Sequence, residues 1–222
     1  MRKRTERKRD ITERFSTRRD AERYRDRFTH GRRLHTHVRE SGALRRLLQR
    51  CGELGTILDV GSGTGRFAGL FGERAARVIQ LDLAAPMLDV SRASLMAASD
   101  RFAFVRADVR RLPILDRSVD LVFCHRLLNH LTGEQDRRRA LAELARICHG
   151  LLVVSTLGPP RAVQQLRDSY DRWRGAAVPG ISRSITPFVL IGELAAIGMQ
   201  LKDRIAIRRF PVSAEFLVFA RR

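Results

Sequence analysis

The segment ILDVGSGTGRF, from Ile57 to Phe67, constrains the fold of this chain more than any other part of the sequence. A short apolar run bounded by glycine is typical of a strand buried on both faces of a parallel sheet. The run leads into Gly61, Gly63 and Gly65, and glycines at this spacing permit a turn with backbone angles closed to other residues and let a ligand approach the backbone. We therefore predict a strand, a ligand-binding turn and then a helix.

Strand-like and helix-like segments alternate along the rest of the chain. Apolar runs predict strands at residues 56–60, 77–81, 102–106, 119–124, 151–155, 204–209 and 215–220. Helical spacing and helix-start signals predict helices at residues 66–75, 86–98, 134–147 and 187–197. This alternation predicts an α/β fold in which a parallel sheet carries helices on both faces.

The first 52 residues are predicted to form a basic helical arm ahead of a domain at residues 53–222. Residues 1–50 hold 18 Lys and Arg against 7 Asp and Glu, and the whole chain has a formal net charge of +19. The composition predicts a frayed helix or disorder over residues 1–20 and a helix over residues 20–30. A helical apolar stripe then runs to Cys51 and Gly52, formed by Leu34, Val38, Leu44, Leu47 and Leu48. Such a helix either packs on the core or closes over a site.

The positive charge of the arm has two interpretations, and the sequence leaves both open. A basic arm attracts nucleic acid or an anionic membrane surface. Only Lys3, Lys8 and Lys202 are lysines, however, so nearly all basic residues are arginines. That pattern also indicates a compositional bias that needs no polyanionic partner.

The cysteines and the hydropathy pattern indicate a cytoplasmic protein. Cys51, Cys124 and Cys148 are too few and too scattered for a disulfide framework, and no pairing of Cys or His suggests a metal site. No apolar run is long enough to span a bilayer, and the first residues lack the apolar core of a secretory signal. We expect free thiols in a reducing compartment and no bound metal.

Acidic side chains follow the first three predicted strands. Asp59, Asp82 and Asp108 stand at or just after the strand ends, where parallel sheets bind their ligands. A single Asp there also caps helices or begins turns, but three at one edge predict a ligand site. The third glycine of the loop comes one residue earlier than in the GxGxxG dinucleotide pattern, where Arg66 stands instead. Asp82 alone does not decide between NAD and a nucleoside ligand.

Three segments carry a family resemblance: DVGSGTG, LDLAAPML and RADVRRLPILDRSVDLVFCHRLLNHL. They resemble the successive motifs of class I S-adenosylmethionine-dependent methyltransferases, most closely the group of ubiquinone/menaquinone-type and other small-molecule enzymes. The resemblance covers residues 55–157 and implies a Rossmann-like, doubly wound seven-stranded sheet, mostly parallel with the last strand antiparallel. Where this family has a Pro-Gly-Gly type turn before strand five, the chain has RICHGLL, with Gly150 alone.

The resemblance implies S-adenosylmethionine as cofactor and a role for each matching residue. Asp82 would accept hydrogen bonds from the ribose hydroxyls, and Asp108 and the Val109 N–H would face the adenine. The remaining matching residues would bracket the methionine end and ribose, pack near the adenine, or lie beneath the methionine portion: Asp59, Gly61, Ser62, Gly63, Gly65, Leu83, Met87 and Cys124.

Two histidines are candidates for a base that assists methyl transfer, if the acceptor needs one. His125 directly follows the end of the fourth strand, where the transferred methyl is expected, and His130 lies on the predicted helix after that strand. In similar proteins, a histidine at the position of His130 is often structural. The arm histidines, His30, His35 and His37, line the site if the arm folds over it; otherwise they are solvated.

The methyl acceptor is predicted to be a small molecule that meets the arm and a lid at residues 156–187. The lid segment contains Tyr170, Trp173 and two flanking arginines, which suit a flat or anionic substrate. No (D/N/S)PP(Y/F/W) tetrapeptide follows strand four, which argues against methylation of amino groups in DNA. An RNA methyltransferase that uses the arginine arm and a non-catalytic protein that keeps the cofactor fold remain as alternatives. The sequence predicts neither the acceptor atom nor an oligomeric state.

Overall fold

Seven strands form one sheet in a computed structural model of the chain, which describes residues 15–131, 133–158, 185–208 and 213–222. The strand order is β3-β2-β1-β4-β5-β7-β6. Strands β1 to β5 pair in parallel, and β7 runs antiparallel to both β5 and β6, which confirms the predicted sheet. In chain order the strands are β1 Leu54–Val60, β2 Ala75–Asp82, β3 Phe102–Arg106, β4 Val119–Cys124, β5 Cys148–Gly158, β6 Met199–Arg208 and β7 Ser213–Arg221.

The described helices cover the sheet and differ in places from the predicted bounds. They are α1 Arg18–Asp26, α2 Gly31–Arg50, α3 Ala68–Gly72, α4 Ala85–Ser94, α5 Glu134–Ile147 and α6 Pro187–Ala196, with 3-10 turns at Met96–Arg101 and Leu128–His130. The helix predicted over residues 66–75 is shorter because the glycine turn extends to Phe67 and β2 begins at Ala75. His130 lies in a 3-10 turn and not in a regular helix, because α5 begins only at Glu134.

The N-terminal arm is helical from Arg18, slightly before the start of the helix predicted over residues 20–30. Thr17 caps α1, since its Oγ1 accepts a hydrogen bond from the backbone N–H of Asp20 at 3.2 Å. Phe15 packs edge-on against Tyr24, with ring centroids 5.2 Å apart. Residues 1–14 lie outside the described part of the chain.

The sheet is buried on both faces, so neighbouring residues of one strand enter different cores. Ile57 of β1 packs with residues of α2 and α3, while Leu58 packs with residues of α5 and α6. This explains the uninterrupted apolar runs in the sequence. Helix α2 buries Leu44, Leu47 and Leu48 in the same cluster as Ile57, so it covers the sheet across the predicted boundary after residue 52. That boundary stays a prediction.

The departure from the Pro-Gly-Gly pattern has a structural reason at Gly150. Helix α5 ends at Ile147 and β5 begins at Cys148, without an intervening loop. A Cβ on Gly150 would lie 2.3 Å from the backbone oxygen of Asp120 in β4, beside an irregularity in the β4–β5 pairing. Glycine is therefore needed there for the close approach of two backbones.

In the described ranges, every helix is too short or too polar to cross a membrane.

Candidate functional site

A cavity of about 490 Å³ opens at the carboxyl ends of β1, β2 and β4, where the strand order reverses. This is the position at which open α/β sheets bind ligands. The strand ends supply the floor, and the arm supplies part of the wall through Phe15, Tyr24, Arg27 and Arg33. Of the predicted site residues, those that line the cavity are Gly61, Gly63, Asp82, Leu83, Met87, Asp108, Val109, His125 and His130.

The glycine loop after β1 is held against β2 and presents its backbone to the cavity. The backbone N–H groups of Gly61 and Ser62 both donate to the carbonyl oxygen of Leu81, at 2.8 and 3.0 Å. Gly61, Gly63 and Gly65 have φ values of 72°, 57° and 73°, which other residues rarely adopt. Gly65 and Ser62 lie outside the cavity lining. A Cβ on Gly65 would lie 2.2 Å from the Ser91 Oγ, so a side chain there would clash.

Asp82 at the end of β2 is fixed by the backbone around it. Its Oδ2 accepts from the N–H of Gly63 and its Oδ1 accepts from the N–H of Ala84, both at 2.9 Å. Burial raises the pKa of Asp82, and these hydrogen bonds counteract part of that rise. Each carboxylate oxygen keeps a second acceptor site, so Asp82 has capacity for two donors from a ligand in the cavity.

Asp59 and Cys124 lie beneath the cavity and do not line it. Burial raises the pKa of Asp59 to about 7, and the Gln80 Nε2 donates to its Oδ2 at 3.4 Å. Burial likewise raises the pKa of the Cys124 thiol to about 12, with the nearby Asp59 adding to the rise. Contact of either side chain with a cofactor stays a prediction.

The other predicted cofactor residues form an apolar and acidic wall beyond Asp82. Leu83 is 38% exposed, while Met87 and Val109 are buried. Both carboxylate oxygens of Asp108 accept hydrogen bonds from the Arg110 guanidinium, which lowers the pKa of Asp108. Arg110 also pairs with Asp136 at 3.2 Å, so the acid predicted to meet the adenine is already in an ion pair.

His125 is buried in an aromatic surrounding and faces the cavity. Its ring lies 5.4 Å from that of Phe67, 5.8 Å from that of Phe123 and 5.6 Å from that of Phe216. Burial lowers the pKa of His125 to about 4, so the imidazole is neutral at pH 7. Within the described part of the chain, neither ring nitrogen has a hydrogen-bond partner.

A buried carboxylate from the arm meets two arginines beside His125, and none of these three charged residues was predicted for the site. Glu40 of α2 is 1% exposed and accepts from the guanidinium groups of Arg66 and Arg126, each at 2.6 Å. Its Oε1 also lies 3.3 Å from the His125 Nε2, without hydrogen-bond geometry. Burial disfavours the ionised form of Glu40, but the adjacent guanidinium groups of Arg66 and Arg126 favour it, and the pKa of Glu40 lies below its usual value.

The two arginines differ in their surroundings. The Arg66 guanidinium lies between the rings of Phe28 and Phe67, 4.2 and 4.3 Å from their centroids, and its side chain is 12% exposed. The Arg126 side chain is 30% exposed and lines the cavity. Arg126 has a φ of 59°, and its N–H donates to the Ser155 Oγ at 2.8 Å.

The remaining predicted residues fall into two groups. His37 packs between Phe28 and Phe67 away from the cavity lining, and burial lowers its pKa, while His30 and His35 are exposed. Tyr170, Trp173 and most of the predicted lid lie outside the described residues. Among the residues that the structure does describe, no group of His, Cys, Asp and Glu is arranged to hold a metal ion.

Comparison with known proteins identifies the central part of the chain. Residues 58–152 match the family described as methyltransferase domain. A malonyl-acyl-carrier protein O-methyltransferase from Hamiltonella defensa is 32% identical over 133 residues, which are 58% of this chain and 47% of that protein. The chain spans about half the length of such curated relatives.

Solved structures share the fold at low sequence identity. Magnesium protoporphyrin IX methyltransferase from Synechocystis PCC 6803, with bound SAH, is 16% identical with a TM-score of 0.73, over 96% of this chain and 98% of that one. The cyclase SpnF is also 16% identical, with a TM-score of 0.60 over 80% of each chain. A cyclase and a methyltransferase thus share this architecture, so the chemistry of this chain must be argued from its site.

Proposed function

We propose that residues 58–152, which match the methyltransferase domain family, form a class I methyltransferase domain, and that the chain transfers a methyl group from S-adenosylmethionine to a small acid. One observation carries the proposal: a single cavity is lined by the glycine loop, by Asp82 and by the arginine end of β4. The first two features suit the nucleoside of the cofactor, and the third suits an anionic acceptor. Cytoplasmic location, as expected from the cysteines, stays a prediction.

The residues present fit S-adenosylmethionine. Asp82 would hold the ribose, since its orientation is fixed and both oxygens keep acceptor capacity. Leu83 and Met87 would pack on the adenine, and the Val109 N–H would donate to it. Asp108 has lone pairs left beside Arg110 for the adenine amino group. When bound, the cofactor supplies an electrophilic methyl carbon on a positively charged sulfur.

The acceptor end of the cavity favours an anion. Arg126 and Arg33 line it, and an ionised carboxylate is a ready nucleophile that needs no proton removed. This agrees with His125, because an imidazole with a pKa of about 4 is a weak proton acceptor at neutral pH. The matched relatives act on a malonyl group, which carries a free carboxylate. We therefore propose O-methylation of a carboxylate, with the protein positioning the acceptor and excluding water.

Binding of S-adenosylhomocysteine by isothermal titration calorimetry tests the cofactor assignment. We expect Asp82→Ala to weaken binding at least 10-fold and Asp82→Asn to weaken it less, because Asn keeps one acceptor oxygen. Asp89→Ala is the matched control, since Asp89 is exposed on α4. Unchanged affinity in Asp82→Ala would show that the cavity does not hold the nucleoside as proposed. Binding without turnover of any acid would favour the non-catalytic alternative.

The net charge of +19 supports one other candidate, an RNA acceptor held by the arginine arm. It predicts copurifying RNA and a steep loss of affinity for RNA between 50 and 200 mM salt, as counterion release requires (roughly 10³-fold or more). Activity on a small acid that nuclease treatment leaves unchanged would count against it.

A further inference from the structure

We infer that Arg126 binds the carboxylate of the methyl acceptor and that Glu40 of α2 holds the Arg126 guanidinium in place for it. Arg126 is then a specificity-determining residue, and Glu40 is a positioning residue contributed by the arm. The inference rests on the proposed function, because it presumes that the cavity takes a cofactor and an acid together.

The first argument is the charge balance of the buried cluster. One carboxylate, that of Glu40, faces two guanidinium groups at 2.6 Å each, while the neighbouring His125 is neutral at pH 7. The cluster therefore carries one positive charge that its own members do not balance. Arg126 is the partly exposed member of the cluster, at 30%, so the excess positive charge faces the cavity and favours a bound anion there.

The second argument is that Arg126 is accessible from the cavity and Arg66 is not. Arg66 is enclosed by Phe28, Phe67 and Glu40, and it does not line the cavity. Arg126 lines the cavity, and its Nε has no hydrogen-bond partner within the described residues although it is buried. Its Nη2 donates to Glu40 and the side chain is 30% exposed at the cavity, so the planar guanidinium can still offer hydrogen bonds to a carboxylate.

The third argument is the backbone of Arg126. In the described part of the chain, Arg117 and Arg126 are the non-glycine residues with positive φ, at 50° and 59°. This conformation is unfavourable for a residue with a Cβ, and such residues cluster at functional sites. Arg126 follows the end of β4, its side chain reaches Glu40 of the arm, and its backbone N–H donates to the Ser155 hydroxyl.

Two thioesters that differ by one carboxylate test the inference: malonyl- and acetyl-N-acetylcysteamine. Neither carries a phosphate, and the Arg117→Gln control shows how much of any preference comes from general attraction of the carboxylate to a basic chain. In the presence of S-adenosylhomocysteine, we expect the wild type to bind the malonyl thioester more tightly. Arg126→Gln should abolish that preference with at least a 10-fold loss, and Arg126→Lys should restore part of it. Arg117→Gln is the matched control, since it removes an exposed arginine of the same backbone class.

The same titrations separate this inference from the proposed function. Failure of the wild type to bind S-adenosylhomocysteine sinks the proposed function itself. Equal affinity of the wild type for the two thioesters, or an Arg126→Gln protein that keeps its preference, overturns the role of Arg126 alone. If Arg126→Gln loses S-adenosylhomocysteine but still binds 5′-methylthioadenosine, which lacks the amino-acid carboxylate, Arg126 serves the cofactor and the acceptor role is wrong.

Glu40 is tested by a double-mutant cycle with Arg126. As a positioning residue, Glu40→Gln should weaken the malonyl thioester several-fold and leave the acetyl thioester unchanged, and it should add nothing in the Arg126→Gln background. A Glu40 that only stabilises the fold would lower the thermal midpoint and leave the malonyl preference intact. Additive losses in the double variant would likewise contradict positioning through Arg126.

Discussion

The two ends of the cavity are built in different ways. The proposed cofactor end consists of Gly61, Gly63, Asp82, Asp108 and the residues that follow them, and its polar groups are backbone amides and carboxylates from consecutive strands. The proposed acceptor end consists of Glu40, Arg66, His125 and Arg126, brought together from the arm, the glycine turn and β4. The polar groups of the first end are held by hydrogen bonds between neighbouring strands, whereas the second end is a charge cluster that depends on one distant carboxylate.

The largest loss of stability should come from removing the Glu40 carboxylate at the proposed acceptor end. We expect Glu40→Ala to cost about 3–5 kcal/mol of unfolding free energy, because it leaves the enclosed Arg66 guanidinium and the partly exposed Arg126 guanidinium without their shared partner. Urea unfolding monitored by circular dichroism measures the loss. Glu53→Ala removes an exposed acid and should change stability by less than about 0.5 kcal/mol. A loss below about 1 kcal/mol for Glu40→Ala would mean that the cluster is open to water.

At the proposed cofactor end, a side chain at Gly65 should lower stability through a steric clash and backbone strain. A Cβ there would meet the Ser91 Oγ at 2.2 Å, and the φ of 73° disfavours any side chain. We expect Gly65→Ala to cost about 2–3 kcal/mol, of which the steric part returns in a Ser91→Gly background. Gly69→Ala serves as control, since open space surrounds Gly69 in α3 and alanine favours a helix. Similar stability of the two alanine variants would contradict the described turn.

The unfolding free energy should depend on pH with opposite sign through Asp59, which lies beneath the proposed cofactor end, and through His125 at the other end. The pKa of Asp59 is raised from 3.8 to about 7, so the folded state binds more protons than the unfolded state between these values. The stability that Asp59 contributes is therefore present at pH 4 and is lost towards pH 7, by up to about 3 kcal/mol. Comparison of unfolding at pH 4, 5.5 and 7 should show a more positive slope in Asp59→Asn than in the wild type. An identical slope would refute the raised pKa.

At the proposed acceptor end, the titration of His125 makes stability depend on pH. The pKa of His125 is lowered from 6.5 to about 4, so the unfolded state binds more protons in this window. Stability from the neutral His125 is present above pH 6.5 and is lost as the pH falls to 4, by up to about 3 kcal/mol. The slope of unfolding free energy against pH should become less positive in His125→Gln. A proton titration of His125 near pH 6.5, followed by NMR, would be the contrary result.

The smallest change in stability should come from substitution of Arg110, which pairs with Asp108 at the proposed cofactor end. Its pair with Asp108 is partly exposed, at 42% and 32% for the two side chains. Such pairs contribute at most about 1 kcal/mol and are screened by salt. We expect Arg110→Ala to change the unfolding free energy by less than this, with no difference from the wild type in 1 M NaCl. A larger loss than in Arg126→Ala would reverse the contrast between the two ends.

The sequence was sufficient to predict the sheet and the position of Asp82 and Asp108 at the cavity, because both rest on local patterns. Asp82 and Asp108 follow consecutive strands, and strand ends of a parallel sheet share one edge. Glu40 was missed because it is one acid in a basic arm, yet a signal was present: Ala43, Leu44 and Leu47 stand three, four and seven residues after it and are buried on the same helix face. An acid within an apolar stripe predicts a buried partner.

No comparable signal was available for the arginines. Arg66 and Arg126 are two of many arginines, and only the packing of α2 against the carboxyl edge of the sheet distinguishes them. The shortened helix after the glycine loop and the contact of Gly150 with β4 likewise depend on distances between strands, which spacing along the chain does not encode.

The separation of Glu40 and Arg126 along the chain has a consequence for the order of assembly. The contact from Asp82 to Gly63 spans 19 residues, whereas the contact from Arg126 to Glu40 spans 86. Because closing a longer loop costs more entropy, we expect the contact between Asp82 and Gly63 to form before the contact between Arg126 and Glu40. The charge cluster would then be completed only when α2 docks on the sheet.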